Sequence, residues 1–283
     1  MSWKIVADSG CDFKTIDQLA ADTEFECVPL TIQIGSEVFK DDEGLNIDEM
    51  MAKMYATPSS ATSSCPSPDA FLQAYSGADN VIAITITGSL SGSQNSAQLA
   101  KELLLEQNPQ ANIHVIDSLS AGGEMDLIIL ELNRLINQGL SFDEVVEQIT
   151  AYQVRTRLIF VLAKVDNLVK NGRLNKLVGK VIGFLNIRMV GRASEEGKLE
   201  LLQKARGQKK SAEAVVEEML KSGYDGGRVL IAHARNEKIC RQISEKIHSR
   251  FPEAELQSQP ASGLCSFYAE EGGILVGYET APS

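Results

Sequence analysis

The 283-residue sequence is poor in the residues that build metal and disulfide frameworks, with five cysteines and three histidines. Cys11, Cys27, Cys65, Cys240 and Cys265 are scattered, odd in number and contain no C-x-x-C pair, and His114, His233 and His248 lie far apart. This spacing argues against a structural zinc site or a disulfide scaffold, and most of the cysteines read as small core hydrophobes. No run of 18 or more apolar residues occurs, so no transmembrane segment is expected. The opening Met1-Ser2-Trp3-Lys4-Ile5-Val6 enters a strand directly, without a signal-peptide pattern, and the chain reads as cytoplasmic. Positive charge is also short: 27 Lys+Arg against 38 Asp+Glu give a net charge of -11, which makes nucleic acid or an anionic membrane surface a poor partner. Neither a P-loop nor a G-x-G-x-x-G turn after a strand is present. Gly88-Ser89-Leu90-Ser91-Gly92 only superficially matches a nucleophile elbow, because Leu90 stands at its centre. No histidine is tied by sequence to Ser91 as a base. No cofactor or metal is expected.

What is present is a soluble, globular composition, 43% hydrophobic and 23% charged, in a chain long enough for one large domain or two ordinary ones. Strands and helices alternate through the first half. Lys4 to Ala7 is a short strand ending in Asp8-Ser9-Gly10, with a helix predicted around Thr15 to Ala21 and strands over Phe25 to Leu30 and Thr31 to Ile34. Ile47 to Tyr55 has helical spacing broken by Pro58-Ser59-Ser60, and Asp69 is placed to cap a short helix through Phe71 and Tyr75. Val81 to Ile86 is a strand followed by a helix from Gln94 to Leu105. The strand Asn112 to Ile116 ends in Asp117-Ser118, and a Gly122-Gly123 turn leads into an apolar helix, Met125 to Ile136. This alternation predicts an α/β fold with a mainly parallel sheet. The run Asp41-Asp42-Glu43 reads as a solvated loop.

The texture changes from Ser141, which begins a capping box with Glu144 for a helix through Ala151. A second α/β unit follows. Its strands are predicted at Arg157 to Leu162, Lys198 to Leu202, Arg228 to Ala232 and Gly273 to Tyr278. Its helices are predicted at Ser211 to Lys221 and Glu237 to Arg250, with two short helical segments flanking Asn171-Gly172-Arg173 and an apolar stretch from Val181 to Val190. The division is set at 1-152 for the first domain and 153-283 for the second.

The chemistry gathers in hydroxyl-rich loops. Ser63-Ser64-Cys65-Pro66-Ser67 and Leu90-Ser91-Gly92-Ser93 lie about one βαβ connection apart, and the second stands where a strand ends and a helix begins. Free N–H groups at a helix start and small hydroxyls form a ready anion site, and an open α/β sheet binds ligands at this carboxyl edge. The ends Asp8-Ser9, Thr87 to Ser93 and Asp117-Ser118 should converge there, although Asp and Ser at any single turn serve most often as caps. Hydroxyls without a base or metal hold an anion rather than transform it. A serine-dependent acyl hydrolase or phosphotransferase, or a module for another small anion such as a sugar phosphate, stays open as an alternative.

The order of motifs resembles the DegV family of bacterial fatty-acid-binding proteins. The matching pieces are Ile5-Val6-Ala7-Asp8-Ser9, Ser63-Ser64-Cys65-Pro66-Ser67-Pro68 with Phe71, and Leu90-Ser91-Gly92-Ser93 followed by Ser96-Ala97. Asp117-Ser118 before Gly122-Gly123, Asn171-Gly172-Arg173-Leu174 and the closing Gly272 to Tyr278 complete the series. The resemblance implies two α/β domains with one long-chain fatty acid between them, the second closing over the ligand. It implies a non-enzymatic role in lipid binding and transport, with Ser63 and Ser91 holding the carboxylate and Ser64, Gly92 and Ser93 as neighbours. It further implies an acyl chain in an apolar tunnel and presentation of the carboxylate to a separate fatty acid kinase. Arg173 falls on the family's G-G-R arginine, supporting the site or facing the partner. Ser63 and Ser93 replace threonines and keep the hydroxyl; Cys65 replaces a glutamine and Gly88 a serine. Tyr268 in Tyr268-Ala269-Glu270-Glu271-Gly272 stands where the family's H-x-G-P-G segment has a histidine. A phenol is neutral near pH 7, so no group titrating between pH 5 and 8 is expected beside the carboxylate, while Glu270 and Glu271 are expected to add negative charge nearby.

Burial of an acyl chain contributes roughly 0.8 kcal/mol per CH₂, so a chain the size of hexadecanoate, with about fifteen carbons to bury, gains on the order of 12 kcal/mol before binding costs. Met125 to Ile136 and Val181 to Val190 are candidates to line a tunnel, with ordinary core as the default reading for both.

Overall fold

A computed structural model describes residues 1–57, 61–175 and 186–281. The chain opens with β1 (Trp3–Asp8), β2 (Thr23–Val28), β3 (Thr31–Ile34) and β4 (Glu37–Lys40), followed by α1 (Ile47–Ala56), β5 (Thr62–Ser64) and α2 (Pro68–Ala74). Then come β6 (Asn80–Thr85), α3 (Ser93–Gln107), β7 (Asn112–Asp117), α4 (Gly123–Asn137) and α5 (Phe142–Gln153). The second half holds β8 (Thr156–Leu162), α6 (Asp166–Lys170), β9 (Ile187–Ala193), β10 (Leu199–Arg206) and α7 (Gly207–Lys221). It closes with β11 (Val229–His233), α8 (Glu237–His248), β12 (Leu256–Pro260), α9 (Gly263–Ala269) and β13 (Ile274–Glu279).

The fold is α/β, with three sheets among the described residues. The first is parallel throughout, in the order β2-β1-β6-β7. Its central strands β1 and β6 are buried along their whole length, as a parallel sheet covered by helices on both faces requires. The mixed sheet runs β10-β9-β8-β13-β11-β12, with only β11 and β12 parallel. A small antiparallel sheet, β4-β3-β5, lies beside them.

Helix α4 joins the halves. Met125, Ile128, Ile129 and Leu132 pack into the core of the parallel sheet. The helix start meets the mixed sheet backbone to backbone: a Cβ on Gly123 would lie 2.3 Å from the Leu230 carbonyl oxygen, and one on Gly277 2.2 Å from the Gly123 carbonyl carbon. Two glycines are required for that approach. The apolar stripe from Met125 to Ile136 is therefore core and lines no tunnel. Residues 181–185 of the stretch Val181 to Val190 lie outside the described residues, as do Pro58-Ser59-Ser60 and the segment 176–185 where a helix was expected after Arg173. The remainder of that stretch enters β9.

Other elements differ from expectation for identifiable reasons. Thr15 to Ala21 is irregular rather than helical, because side chains elsewhere supply its backbone partners: the Asn133 amide accepts from Ala20 N at 2.8 Å and donates to the Gln18 carbonyl at 2.8 Å. Helix α2 is capped by Ser67, whose hydroxyl accepts from Ala70 N, with Pro68 opening the helix; Asp69 sits in the first turn instead. The capping box of Ser141 and Glu144 is present. Asp41 is no solvated loop residue. It is fully buried, accepts from Gly263 N at 3.0 Å and Leu264 N at 2.8 Å, and pairs with Lys14 at 2.9 Å. It thereby satisfies the first two N–H groups of α9, whose cap is Ser262, a helix absent from the sequence expectation along with β4, β5 and β12.

Candidate functional site

The carboxyl ends of β1, β6 and β7 meet, as adjacent parallel strands must. Asp8, at the end of β1, is fully buried and accepts from Gly10 N at 2.9 Å, from Ile86 N at 3.0 and 3.1 Å, and from the Ser93 hydroxyl. Burial pushes its carboxyl up to about 6, against these hydrogen bonds and the Lys14 charge. Asp117, at the end of β7, accepts from Gly88 N at 3.1 and 3.2 Å. The loop between β6 and α3 is thus held at both flanks. No side chain caps α3, and Ser93 N donates instead to the Ser91 Oγ at 3.2 Å. That bond occupies a lone pair of Ser91 and leaves its proton free to donate.

A second wall comes from β5 and α9. In the strand β5, Ser63 and Ser64 point to opposite faces. Ser63 Oγ lies 2.7 Å from the Tyr268 Oη, while Ser64 is exposed. Helix α9 wedges between two cores: Phe267 packs with Met50, Met51 and Met54 of α1, while Cys265 and Ala269 pack with Leu158, Phe160 and Leu162 of β8. Tyr268 is left at the rim, its hydroxyl pKa raised by burial despite opposing effects of Ser63 and Arg173, so the phenol stays neutral. The Arg173 guanidinium lies 4.9 Å above its ring, donates from Nε to the Leu90 carbonyl at 3.0 Å and from Nη1 to the Asn171 carbonyl at 3.2 Å. Ser63, Tyr268, Arg173 and the Leu90-Ser91 loop form one continuous rim.

Behind the rim opens an apolar cavity with about 770 Å³ of space free of atoms, part of it continuous with solvent. Alternation along β8 turns Leu158, Phe160 and Leu162 into it, while Ile159 and Val161 pack on the other face of the sheet. Leu30 and Ile86 close it from the first half, Leu264 from α9, and Ala193 and Leu199 from the β9–β10 hairpin. The hairpin tip is fastened by Thr87, whose hydroxyl donates to the Gly197 carbonyl at 3.0 Å, and by Ser89, which donates to the Glu196 carbonyl at 2.5 Å. Gly197 has φ +71°, and a Cβ there would sit 2.1 Å from the Thr87 hydroxyl.

Of the residues singled out in the sequence, Ser63, Ser91, Arg173 and Tyr268 line this cavity; Ser64, Gly92 and Ser93 do not. Ser64 faces outward, exposed Gly92 forms the helix cap, and the Ser93 hydroxyl is taken by Asp8. Glu270 and Glu271 also turn away from the rim. Glu270 is buried and accepts from Asn167 N at the start of α6, whereas Glu271 is exposed and lies 3.9 Å from Lys164. Among the described residues none that lines the cavity titrates ordinarily between pH 5 and 8, but Asp8, which reaches Ser91 through Ser93, was missed as a group near that range. Thr87 was read only as part of a polar strand end, and Cys265 as core; nothing local in the sequence marks either as lining.

A family profile described as "Uncharacterised protein, DegV family" matches residues 2–280. A DegV domain-containing protein of Streptococcus pyogenes serotype M3 is 70% identical over 279 residues, covering 99% of this chain and 100% of the relative. Among solved structures, the Streptococcus pneumoniae fatty acid kinase B3 protein loaded with linoleic acid is 62% identical with a TM-score of 0.98, covering 99% of this chain and 100% of the other. A DegV family protein from Eubacterium eligens loaded with heptadecanoic acid is 37% identical with a TM-score of 0.94, over 99% and 100% of the two chains. With its strand order, its cavity and these matches along its whole length, the chain belongs to the DegV family.

Proposed function

We propose that this protein binds one long-chain fatty acid, with the carboxylate at Ser63 and Ser91 and the acyl chain in the cavity between the parallel and mixed sheets. The observation that carries the reading is the cavity itself: an apolar chamber whose rim gathers two serine hydroxyls, a neutral phenol and an arginine. Such a rim suits one anionic headgroup on a long apolar tail. Burial of about fifteen carbons supplies on the order of 12 kcal/mol before association costs, and the hydroxyl donors offset the desolvation of the carboxylate and fix its direction. Similar proteins from S. pneumoniae and E. eligens are described as loaded with linoleic and heptadecanoic acid. The division into residues 1-152 and 153-283 belongs to the same proposal, the second unit closing over the ligand. So does presentation of the bound carboxylate to a separate fatty acid kinase, a role supported by the name of the pneumococcal relative. The test is an organic extract of the purified protein examined by mass spectrometry. Stoichiometric long-chain fatty acid is the expected result; a phosphorylated ligand, or failure to take up added fatty acid after delipidation, overturns the reading.

A further inference from the structure

Asp8 does not line the cavity, yet its one carboxylate holds the loop that carries Ser91 by its two ends. Ile86 N, where the chain leaves β6, donates to both oxygens at 3.1 and 3.0 Å, and the hydroxyl of Ser93, the first residue of α3, donates to Oδ2. Gly10 N occupies Oδ1 at 2.9 Å, which fixes the carboxylate against its own strand. Both Asp8 and Ser93 are fully buried, so no water competes for these bonds. Between the two clamped ends lie Thr87, which holds the β9–β10 hairpin, Leu90, whose carbonyl anchors Arg173, and Ser91 itself. Ser93 N then reaches back to the Ser91 Oγ at 3.2 Å and fixes which way that hydroxyl can donate.

Resting on the carboxylate-binding role proposed for Ser91, we infer that Asp8 is a positioning residue for the ligand's carboxylate, acting through Ser93 on the Ser91 hydroxyl. A turn that merely needed closing would be served by Gly10 N and Ile86 N alone. The additional bond to Ser93 couples the end of β1 to the first residue of α3, and a hydroxyl at position 93 is what makes the connection. Precise orientation of a donor matters because a hydrogen bond weakens steeply as its angle departs from linearity.

A double-mutant cycle with oleate as probe tests this. Ser91→Ala, Asp8→Asn and the combination are titrated with oleate, and the carboxyl resonance of bound [1-¹³C]oleate is recorded for each. Ser91→Ala should weaken binding by about tenfold or more and Asp8→Asn by about fivefold, both should shift the carboxyl resonance, and the combination should bind no more weakly than Ser91→Ala alone. Ser93→Ala should repeat the Asp8→Asn result, and Ser93→Thr should restore wild-type affinity; this pair decides the matter where Asp8→Asn does not fold. Independent, additive losses, or an unshifted resonance in Ser93→Ala, overturn the inference and leave the role of Ser91 intact. A Ser91→Ala variant with wild-type affinity overturns the carboxylate reading itself.

Discussion

At the scale of single residues, the rim is built from groups that donate hydrogen bonds without carrying out chemistry. Ser63 and Tyr268 share a 2.7 Å contact, so a carboxylate arriving there would compete with, or extend, an existing pair. Loss of one charge-assisted bond costs about 1.5–3 kcal/mol, and the double variant Ser63→Ala, Ser91→Ala should bind oleate at least tenfold more weakly while its melting temperature holds. Unchanged affinity in a direct titration would remove both serines from the site. Arg173 is committed to the Tyr268 face and two carbonyls, and Arg173→Ala should lower kinase-dependent acyl-phosphate formation more than it lowers lipid binding; equal wild-type values in both assays would leave it a structural brace. Tyr268→His replaces a neutral phenol with a group that charges near pH 6.5. The variant's affinity should rise as pH falls from 8 to 6, because imidazolium faces a carboxylate, and an affinity in the variant that is flat across that range would argue that position 268 does not meet the headgroup.

At the scale of elements, α9 shows why the sequence was readable only in part. The strands β1, β6 and β8 announce themselves as β-branched apolar runs, and the loop after β6 stands out because small hydroxyls follow such a run directly. The seven residues Gly263–Ala269 have only a short local signal, the cap Ser262 whose hydroxyl accepts from Cys265 N, while their first two N–H groups are taken by Asp41, 222 residues away from Gly263. The same holds for Ser93, whose hydroxyl is claimed by Asp8 from 85 residues away, and for Thr15 to Ala21, where Asn133 replaces the bonds a helix would make. Local pattern records what a segment buries, and these long-range side-chain bonds leave no mark in it. The contact of Asp41 with α9 is open to test. Asp41 is a buried partner of Lys14 as well as the acceptor for two N–H groups of α9, and loss of one member of a buried pair costs about 3–5 kcal/mol. Asp41→Ala should therefore destabilise the protein by about that amount and release fatty acid faster, because Leu264, Cys265, Tyr268 and Ala269 all reach the cavity from this helix. A loss under about 1 kcal/mol in denaturant unfolding would show that α9 is held by packing alone.

At the scale of the whole molecule, several carboxyls are held by hydrogen bonds where the halves meet. Asp12 accepts from Ser262 N at 2.7 Å, Asp126 accepts from Asp12 N at 2.9 Å and from the Gln259 amide at 3.0 Å, and Glu124 accepts from the Thr156 hydroxyl at 2.8 Å. Burial raises all three carboxyls: Asp12 to about 6, Glu124 to about 7, and Asp126 well above its ordinary value, with the neighbouring Asp12 charge adding to the effect. Asp8 behaves alike. The folded protein therefore holds more protons than the unfolded chain between pH 4 and 7, and stability falls as pH rises through that window. A carboxyl lifted from 3.8 to about 6 represents on the order of 3 kcal/mol. In the opposite direction, Glu131 and Glu279 are lowered: burial resists, but arginines and hydrogen bonds outweigh it, with Arg228 shared between them at 2.7 and 2.8 Å. Their contribution is present above the ordinary carboxylate range and is lost only as pH falls below it. The two groups of carboxylates together place the stability maximum at about pH 4, and the melting temperature should drop by about 5–10 °C between pH 5 and 8 at constant ionic strength. Asp126→Asn, which keeps an acceptor for Asp12 N without a charge, should flatten that decline. A melting temperature that climbs from pH 5 to 8 in calorimetry would mean that these buried carboxyls ionise freely in the folded state, and that the junction between the sheets is wetter than its hydrogen bonds indicate.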